Sequence, residues 1–143
     1  MKITDLRRDL RAEVDGEWND APELGADEAT GKPIRFLTRS IHYPPFKLDL
    51  RHTQLRLARK FGDDVPPDEE DRENGRLYAT HLLLGWEGIE DEFTQAVALA
   101  ALTDVAQRDL REAVVACARV VGKRRAKQAA AIAGNSPPAS DGS

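Results

Sequence analysis

A double proline, Pro44-Pro45, divides this chain into two parts with different hydrophobic periodicity. Upstream, apolar or β-branched side chains alternate with polar ones, at Ile34, Phe36 and Thr38, which is the pattern of a half-buried strand. Proline has no N–H to donate and biases the residue before it to extended geometry, so the strand is expected to end there. Downstream, apolar residues recur at helical spacing. The sequence therefore predicts an α+β fold, with a small N-terminal antiparallel β-sheet or hairpin followed by a bundle of three to four helices.

The chain is predicted to consist of an arm, one domain and a tail. Their ranges are 1–13 for a short N-terminal helix or arm, 14–128 for a single α+β domain (β-rich 14–43, helical 45–128) and 129–143 for a disordered tail. In the arm, Ile3, Leu6 and Leu10 mark one face at helical spacing. The Asp15-Gly16 pair is a strong hairpin signal at the start of the domain. The last ten residues contain no large apolar side chain, which is typical of disorder.

Four helices are predicted in the second part of the chain, over 46–61, 72–86, 92–102 and from Asp104 onward. The helix over 72–86 carries a wide apolar stripe and should be the most buried. Asp91 is expected to cap the next helix, and Asp104 with Gln107 three residues later matches the capping-box arrangement. The acidic stretch 63–71 is interpreted as a solvated linker with an N-cap at Asp68, in preference to a metal site.

Length and composition favour a small soluble protein. With 143 residues and 41% apolar side chains, the chain is long enough for one domain with its own core. Its single cysteine, Cys117, cannot form an internal disulfide, which favours a reducing compartment. The N-terminus lacks the apolar stretch of a signal peptide, and no apolar run approaches the roughly 20 residues needed to cross a bilayer. We therefore expect a cytoplasmic protein.

No arrangement of side chains predicts catalysis. Cys117 falls on the apolar face of the last helix, and the three histidines lie in different predicted elements. His81 is interpreted as a helix-face histidine whose hydrogen bonds are satisfied. The acids Glu87 and 90–92 are surface neighbours rather than converging carboxyls, and no glycine loop carries the lysine of a phosphate site. We therefore expect no enzyme activity, no cofactor and no metal.

The stretch Gly85-Trp86-Glu87-Gly88-Ile89 is the strongest candidate for a binding role. An indole between two glycines at the end of an apolar run must either complete a core or present a large amphipathic surface to a partner. The candidate partner-binding residues are Trp86, Ile89, Phe93 and Val97, arranged across a glycine joint. The alternative is that these four side chains close the core of the domain. The sequence leaves both interpretations open.

A cluster of positive charge lies at the end of the last helix, on a chain whose net charge is -4. Its members are Arg119, Lys123, Arg124, Arg125 and Lys127. Such a patch suits nucleic acid or an acidic partner, but cations at a helix C-terminus also interact favourably with the helix dipole. The net negative charge and the lack of interleaved aromatic residues argue against binding of nucleic acid.

Five short motifs follow one another along the chain. They are Gly16-Glu17-Trp18, the strand 34–39, the stretch 82–89, the acidic and aromatic 91–93, and the segment 97–104. In this order they resemble the tail assembly chaperones of long-tailed phages and prophages, from Val14 to Val121. That family often carries a glycine and a proline-bearing stretch between Asp91 and Thr94, which this chain lacks.

The resemblance implies a non-enzymatic protein that coats the long tape measure protein until the tail tube polymerises around it, and then leaves. The implied partner is the tape measure protein, with self-association or a frameshifted longer form as further options, and no membrane. One alternative is a structural virion or head–tail joining component that stays in the particle. A second alternative is a small regulator that binds nucleic acid through the basic C-terminal helix.

Overall fold

The computed structural model of the protein describes residues 1–123. These residues form one three-stranded antiparallel sheet and five α-helices, which confirms the predicted α+β fold class. The strands are β1 (Glu17–Asp20), β2 (Arg35–Thr38) and β3 (Leu83–Glu87), in that order across the sheet. The helices are α1 (Leu10–Asp15), α2 (Pro44–Phe61), α3 (Pro67–Leu77), α4 (Gln95–Leu102) and α5 (Arg108–Val120). The predicted tail 129–143 and the last part of the predicted helical region, 124–128, lie outside the described residues.

Strands β1 and β2 pair antiparallel, with Trp18 opposite Leu37. The predicted alternation is confirmed on the core side, because Phe36 and Thr38 are fully buried. The hairpin predicted at Asp15-Gly16 is wrong. The glycine instead follows α1 with a φ of 95°, a conformation that glycine adopts at the end of a helix without steric cost.

The third strand replaces the end of a predicted helix. The helix predicted over 72–86 ends at Leu77, continues as one π-helical turn, Tyr78–Leu82, and then enters β3. In β3, Trp86 lies opposite Phe36 of β2. A short apolar run looks alike in a buried helix and a buried strand, so the local pattern does not decide between them. Pairing with β2 and the low helix propensity of glycine decide in favour of the strand.

The helices on both sides of the acidic linker 63–71 begin with proline. Helix α2 starts at Pro44, slightly before the predicted 46–61, and α3 starts at Pro67 within the linker itself. Proline is tolerated in the first turn because its missing N–H would have no helical partner there. The predicted N-cap at Asp68 is wrong, since this residue lies in the first turn of α3, where its charge favours the positive end of the helix.

The caps predicted for the last two helices are also wrong. Thr94 has the extended geometry of an N-cap and lies directly before α4, and its hydroxyl accepts a hydrogen bond from the Val97 N–H at 3.0 Å. The predicted cap Asp91 is too early in the chain for this contact. Gln107 holds the N-cap position of α5, and the predicted cap Asp104 instead stabilises the turn before the helix.

Two groups of buried side chains hold these elements together. The main cluster lies between the sheet, α4 and α5, and its larger members are Phe36, Leu83, Leu102, Val114 and Cys117. The second cluster lies where α2, α3, the π-helical turn and α5 meet, and its members are Phe46, Leu77, Leu82 and Ala118. The predicted burial of Cys117 is confirmed.

The N-terminal segment packs against the end of α5 and the end of β2. The Arg8 guanidinium donates a hydrogen bond to the Val121 carbonyl at 3.2 Å, and the carbonyl of buried Glu13 accepts one from the Ser40 N–H. The segment is therefore tied to the sheet and to the last helix. Its predicted apolar face is exposed, at Ile3, Leu6 and Leu10.

Candidate partner-binding surfaces

A polar cluster joins α2, α3 and the π-helical turn. The Asp49 carboxylate lies 2.8 Å from His81 Nε2 and accepts two hydrogen bonds from the Arg76 guanidinium, each at 3.3 Å. Arg76 also donates to the Thr53 hydroxyl and to Glu73. His81 is therefore a histidine with satisfied hydrogen bonding, as predicted.

These contacts determine the charge of Asp49. Hydrogen bonds from Arg76 and from His81 lower the pKa of Asp49 from 3.8 to about 2. The carboxylate is therefore ionised at neutral pH. Because Asp49 and its two partners come from three different elements, these contacts fix α2, α3 and the π-helical turn relative to one another.

Three of the four candidate partner-binding residues lie together in the structure. Trp86 and Phe93 meet edge to face with ring centroids 4.9 Å apart, and the indole N–H donates to the Asp91 carbonyl at 2.8 Å. Both rings and Ile89 are half-buried against the main cluster. These are contacts that close a core, and a partner-binding role for the three side chains stays a prediction.

The turn after β3 depends on Gly88. Its φ is +86°, and a Cβ at this position would lie only 3.1 Å from the Ile34 Cα. A side chain here would both strain the backbone and press on the chain that enters β2. The predicted glycine joint is therefore held closely against the sheet.

The fourth candidate, Val97, is exposed on α4. This helix buries Ala98 and Leu102, while Val97 is 38% and Leu99 is 40% exposed. The exposed side of the helix is thus as apolar as its buried side, which is unusual for a surface helix. Val97 belongs to this accessible surface, and its role in binding stays a prediction.

A further apolar surface lies on the side of the sheet that faces away from the main cluster. It consists of Trp18, Leu37 and Leu84, which we call the outer sheet face. All three side chains are half-buried, and none is a member of either buried cluster. This surface could not be predicted from the sequence, because the segment that supplies Leu84 was predicted to be helical. The signal that remained was the presence of Leu37 among the arginines of β2.

Two glycines leave room for the outer sheet face. A Cβ on Gly16 would lie 2.9 Å from Leu84 Cδ1, and a Cβ on Gly85 would lie 3.7 Å from Trp18 Cη2. The three apolar side chains therefore cover these glycines and one another. This mutual packing explains why they are only partly exposed.

Paired charges surround the outer sheet face. Arg35 Nε lies 3.2 Å from Asp20 Oδ1, and Arg35 Nη1 lies 3.2 Å from Glu87 Oε1. The same guanidinium lies over the Trp18 ring, 5.3 Å from its centroid. The single cation of this group is therefore paired with two carboxylates, and the group lies beside the apolar side chains of the outer sheet face.

The predicted basic patch is described only in part. Arg119 and Lys123 are exposed at the end of α5, and Arg119 lies in the last turn of the helix, where a cation is favourable. The other three residues lie outside the described part of the chain: Arg124, Arg125 and Lys127. Binding of nucleic acid or of an acidic partner by this patch stays a prediction.

Two further kinds of feature are absent from residues 1–123. No helix there is long and apolar enough to cross a membrane. In the same residues, no three histidine, cysteine, aspartate or glutamate side chains converge in a way that could hold a metal ion.

Known protein families provide a match over the second part of the chain. Residues 41–135 match the family model described as YdaY prophage protein. This range includes β3 and helices α2 to α5, whereas β1 and β2 precede it. No curated protein and no solved structure matches the chain. Because the family match spans more than half of the 143 residues, the chain belongs to the YdaY prophage protein family.

Proposed function

We propose that this protein is a phage tail assembly chaperone, a non-enzymatic protein that binds the tape measure protein in the cytoplasm of the bacterial host. Membership of a prophage family supports a role in the phage life cycle. The order of motifs along the chain, which resembles that of tail assembly chaperones, supports the specific role. The structural observation that carries the proposal is the outer sheet face.

An antiparallel sheet that packs one face on a core usually presents polar side chains on the other face. Here the other face has Trp18, Leu37 and Leu84 at its centre. Covering apolar surface stabilises a contact by about 25 cal/mol per Å². A small patch of this kind therefore supports reversible binding, which is what a chaperone that later leaves its client requires.

The rim of this face fits a client whose sequence varies along its length. Arg35 is already paired with Asp20 and Glu87, so the group has a net charge of only -1 and selects weakly for the charge of the client. An amphipathic helix laid across the sheet would meet mainly apolar surface. Repeated binding along a long helical tape measure protein is consistent with that tolerance.

The test is co-expression of the full chain with the tape measure protein of the same prophage. Leu37→Ser removes one of the three apolar side chains of the outer sheet face. Leu48→Ser is the control because Leu48 is a 51% exposed leucine of α2. We expect recovery of soluble tape measure protein with the tagged chain to fall at least about fivefold with Leu37→Ser. Recovery with the control should match the wild type.

Circular dichroism and thermal unfolding establish whether each variant is folded. If a folded Leu37→Ser variant recovered as much tape measure protein as the wild type, binding through the outer sheet face would be contradicted. Failure of the wild-type chain to retain the tape measure protein would contradict the proposed function itself. Mass spectrometry of purified particles separates the alternative, because a structural virion component would be retained in them and a chaperone would be scarce.

A further inference from the structure

A groove between α2, α3 and α5 lies apart from the outer sheet face. Its volume is about 280 Å³, and its floor is apolar. The floor residues are Ile41, Phe46, Leu50, Tyr78 and Val115. Phe46 is buried and the other four are partly exposed, so the floor rests on the second buried cluster and opens to solvent. We call this site the α5 groove.

The rim of the α5 groove is positively charged. Lys47 and Arg119 carry this charge, His42 lies beside them, and all three are exposed. Within residues 1–123, neither Lys47 nor Arg119 forms an ion pair. This rim therefore differs from that of the outer sheet face, where Arg35 is neutralised by two carboxylates.

Tyr78 supplies a hydrogen-bond donor in the floor of the groove. Burial raises the pKa of the Tyr78 hydroxyl, and the nearby positive charge of Arg119 opposes this effect. The hydroxyl stays protonated at neutral pH and can donate to a carboxylate that enters the groove.

The groove continues along α5 toward the start of that helix. A neighbouring depression of about 210 Å³ shares Tyr78 and Val115 with it and extends to Arg108. Two acids line this depression. Asp71 lies 3.6 Å from Arg111, so its charge is paired, and Glu112 is exposed. The helix from Arg108 to Arg119 is about 16 Å long at 1.5 Å per residue. An extended peptide of about five residues covers that length.

We propose that the α5 groove binds an acidic peptide segment of a partner protein. A large apolar side chain of the peptide contacts Tyr78 and Val115, and flanking carboxylates pair with Lys47 and Arg119. The apolar floor supplies affinity, and the two cations, which form no ion pair within residues 1–123, supply orientation and selectivity. Every lining residue of the groove lies within the matched range 41–135.

Charge complementarity favours this occupant over the alternatives. The chain carries a net charge of -4, so an acidic partner is repelled by most of the surface and attracted at this groove. The segment of the chain that follows α5, 123–127, is itself basic and would be repelled by Lys47 and Arg119. A nucleic acid would satisfy the cations but would leave the apolar floor without a matching contact.

Fluorescence polarisation with the full chain provides the test. The probe is a fluorescein-labelled peptide, Glu-Asp-Leu-Phe-Glu-Asp. Two comparison peptides replace either its acids by lysine or its Leu-Phe by Ser-Ser. We expect both comparison peptides to bind at least about tenfold more weakly. The affinity of the acidic probe should also fall about tenfold between about 50 mM and about 300 mM salt, because exposed charge pairs are screened.

Charge-reversal variants test whether the acidic probe binds at the α5 groove. The double variant Lys47→Glu, Arg119→Glu should weaken the probe at least about tenfold. Arg59→Glu is the control, since Arg59 is also exposed on α2 but does not line the groove. Circular dichroism confirms that the variants fold. Val115→Ser should weaken the probe without changing its dependence on salt.

Several results would overturn the proposal. One is equal binding of the acidic and the lysine peptides, and another is wild-type affinity in the folded double variant. A single-stranded oligonucleotide that competes for the same cations with higher affinity would identify a nucleic-acid site instead. Self-association that the double variant abolishes, measured by analytical ultracentrifugation, would identify a contact between copies of this chain.

Discussion

The two tryptophans of this chain lie on opposite faces of one sheet. Trp86 in β3 is opposite Phe36 and packs against the main buried cluster. Trp18 in β1 is opposite Leu37, on the face that points away from that cluster. Both residues closely follow a glycine in the sequence, so their immediate neighbours do not distinguish them. Strand register distinguishes them, because alternate positions along a strand face opposite sides.

The surroundings of the two indoles differ accordingly. The Trp86 N–H donates to a backbone carbonyl, and the Trp86 and Phe93 rings pack edge to face. The Trp18 ring lies under the Arg35 guanidinium and remains part of an apolar patch. We therefore expect Trp86 to contribute mainly to stability and Trp18 mainly to binding. Variants on the two faces of the sheet test these two expected roles separately.

Replacing Trp86 has the largest expected effect on stability. Trp86→Ala removes the contact with Phe93 and the hydrogen bond to Asp91, and it leaves a cavity beside the main cluster. We expect the free energy of unfolding to fall by about 3 kcal/mol. Urea denaturation measures this change. Trp18→Ala is the matched control and should lose about 1 kcal/mol, since its ring is outside the buried clusters. Equal losses would contradict the assignment of the two faces.

Asp49→Asn weakens the π-helical turn that leads into the strand of Trp86. The variant removes the charge that the Arg76 guanidinium and His81 bind. Hydrogen bonds to charged groups contribute more than neutral ones, so we expect a loss of about 2 kcal/mol at neutral pH. Urea denaturation measures the loss, and it should be smaller than that of Trp86→Ala.

The same variant has a defined pH dependence. The pKa of Asp49 is lowered from 3.8 to about 2 in the folded chain, so its ionised form stabilises the fold. This contribution is fully present above about pH 5 and disappears as the pH falls toward about 2. The difference in stability between wild type and Asp49→Asn should therefore shrink over that interval. A constant difference would show that the charge of Asp49 contributes nothing.

The features that sequence predicts correctly are those fixed by local periodicity. The helix predicted over 46–61 forms, Phe36 and Thr38 face the core, and Cys117 is buried. In each place the repeat of apolar residues along a short segment defines which side packs inward. No distant contact is needed to reach these conclusions.

The features that sequence does not predict depend on distant partners. The run Leu82-Leu83-Leu84 becomes a strand because β2, far upstream in the chain, offers an edge for pairing. The outer sheet face exists only once that register is set. The α5 groove likewise combines Lys47, Tyr78 and Arg119 from separate elements, and no local pattern relates them. The wrong cap at Asp91 has a local cause instead, because Thr94 lies directly before α4 and its hydroxyl accepts from the Val97 N–H.

Trp18→Ala tests whether Trp18 contributes mainly to binding. We expect the affinity for the tape measure protein to fall about tenfold, equivalent to about 1.4 kcal/mol. Trp18→Phe keeps an aromatic ring and should retain most of the affinity. Binding is measured by copurification, corrected for the folded fraction of each variant. Trp86→Ala is the reciprocal control, and its folded fraction should bind like the wild type. The reverse result would place the client at Trp86, Ile89, Phe93 and Val97.

Gly85→Ala is expected to have the smallest effect. A Cβ at Gly85 would lie 3.7 Å from Trp18 Cη2 and 3.9 Å from Leu37 Cβ, which are ordinary contact distances on the outer sheet face. Alanine also reduces the entropy of the unfolded chain. We therefore expect the free energy of unfolding to change by less than about 1 kcal/mol, and client recovery to stay within about twofold.

Gly88→Ala is the control for Gly85→Ala, because the two glycines have different backbone conformations. The φ of Gly88 is +86°, and a Cβ there would lie 3.1 Å from the Ile34 Cα, so alanine should destabilise the fold by about 2 kcal/mol. Urea denaturation compares the two variants directly. If Gly85→Ala were as destabilising as Gly88→Ala, position 85 would lack room on the outer side. Trp18 and Leu37 would then not pack as described, and the contrast between the two faces would fail.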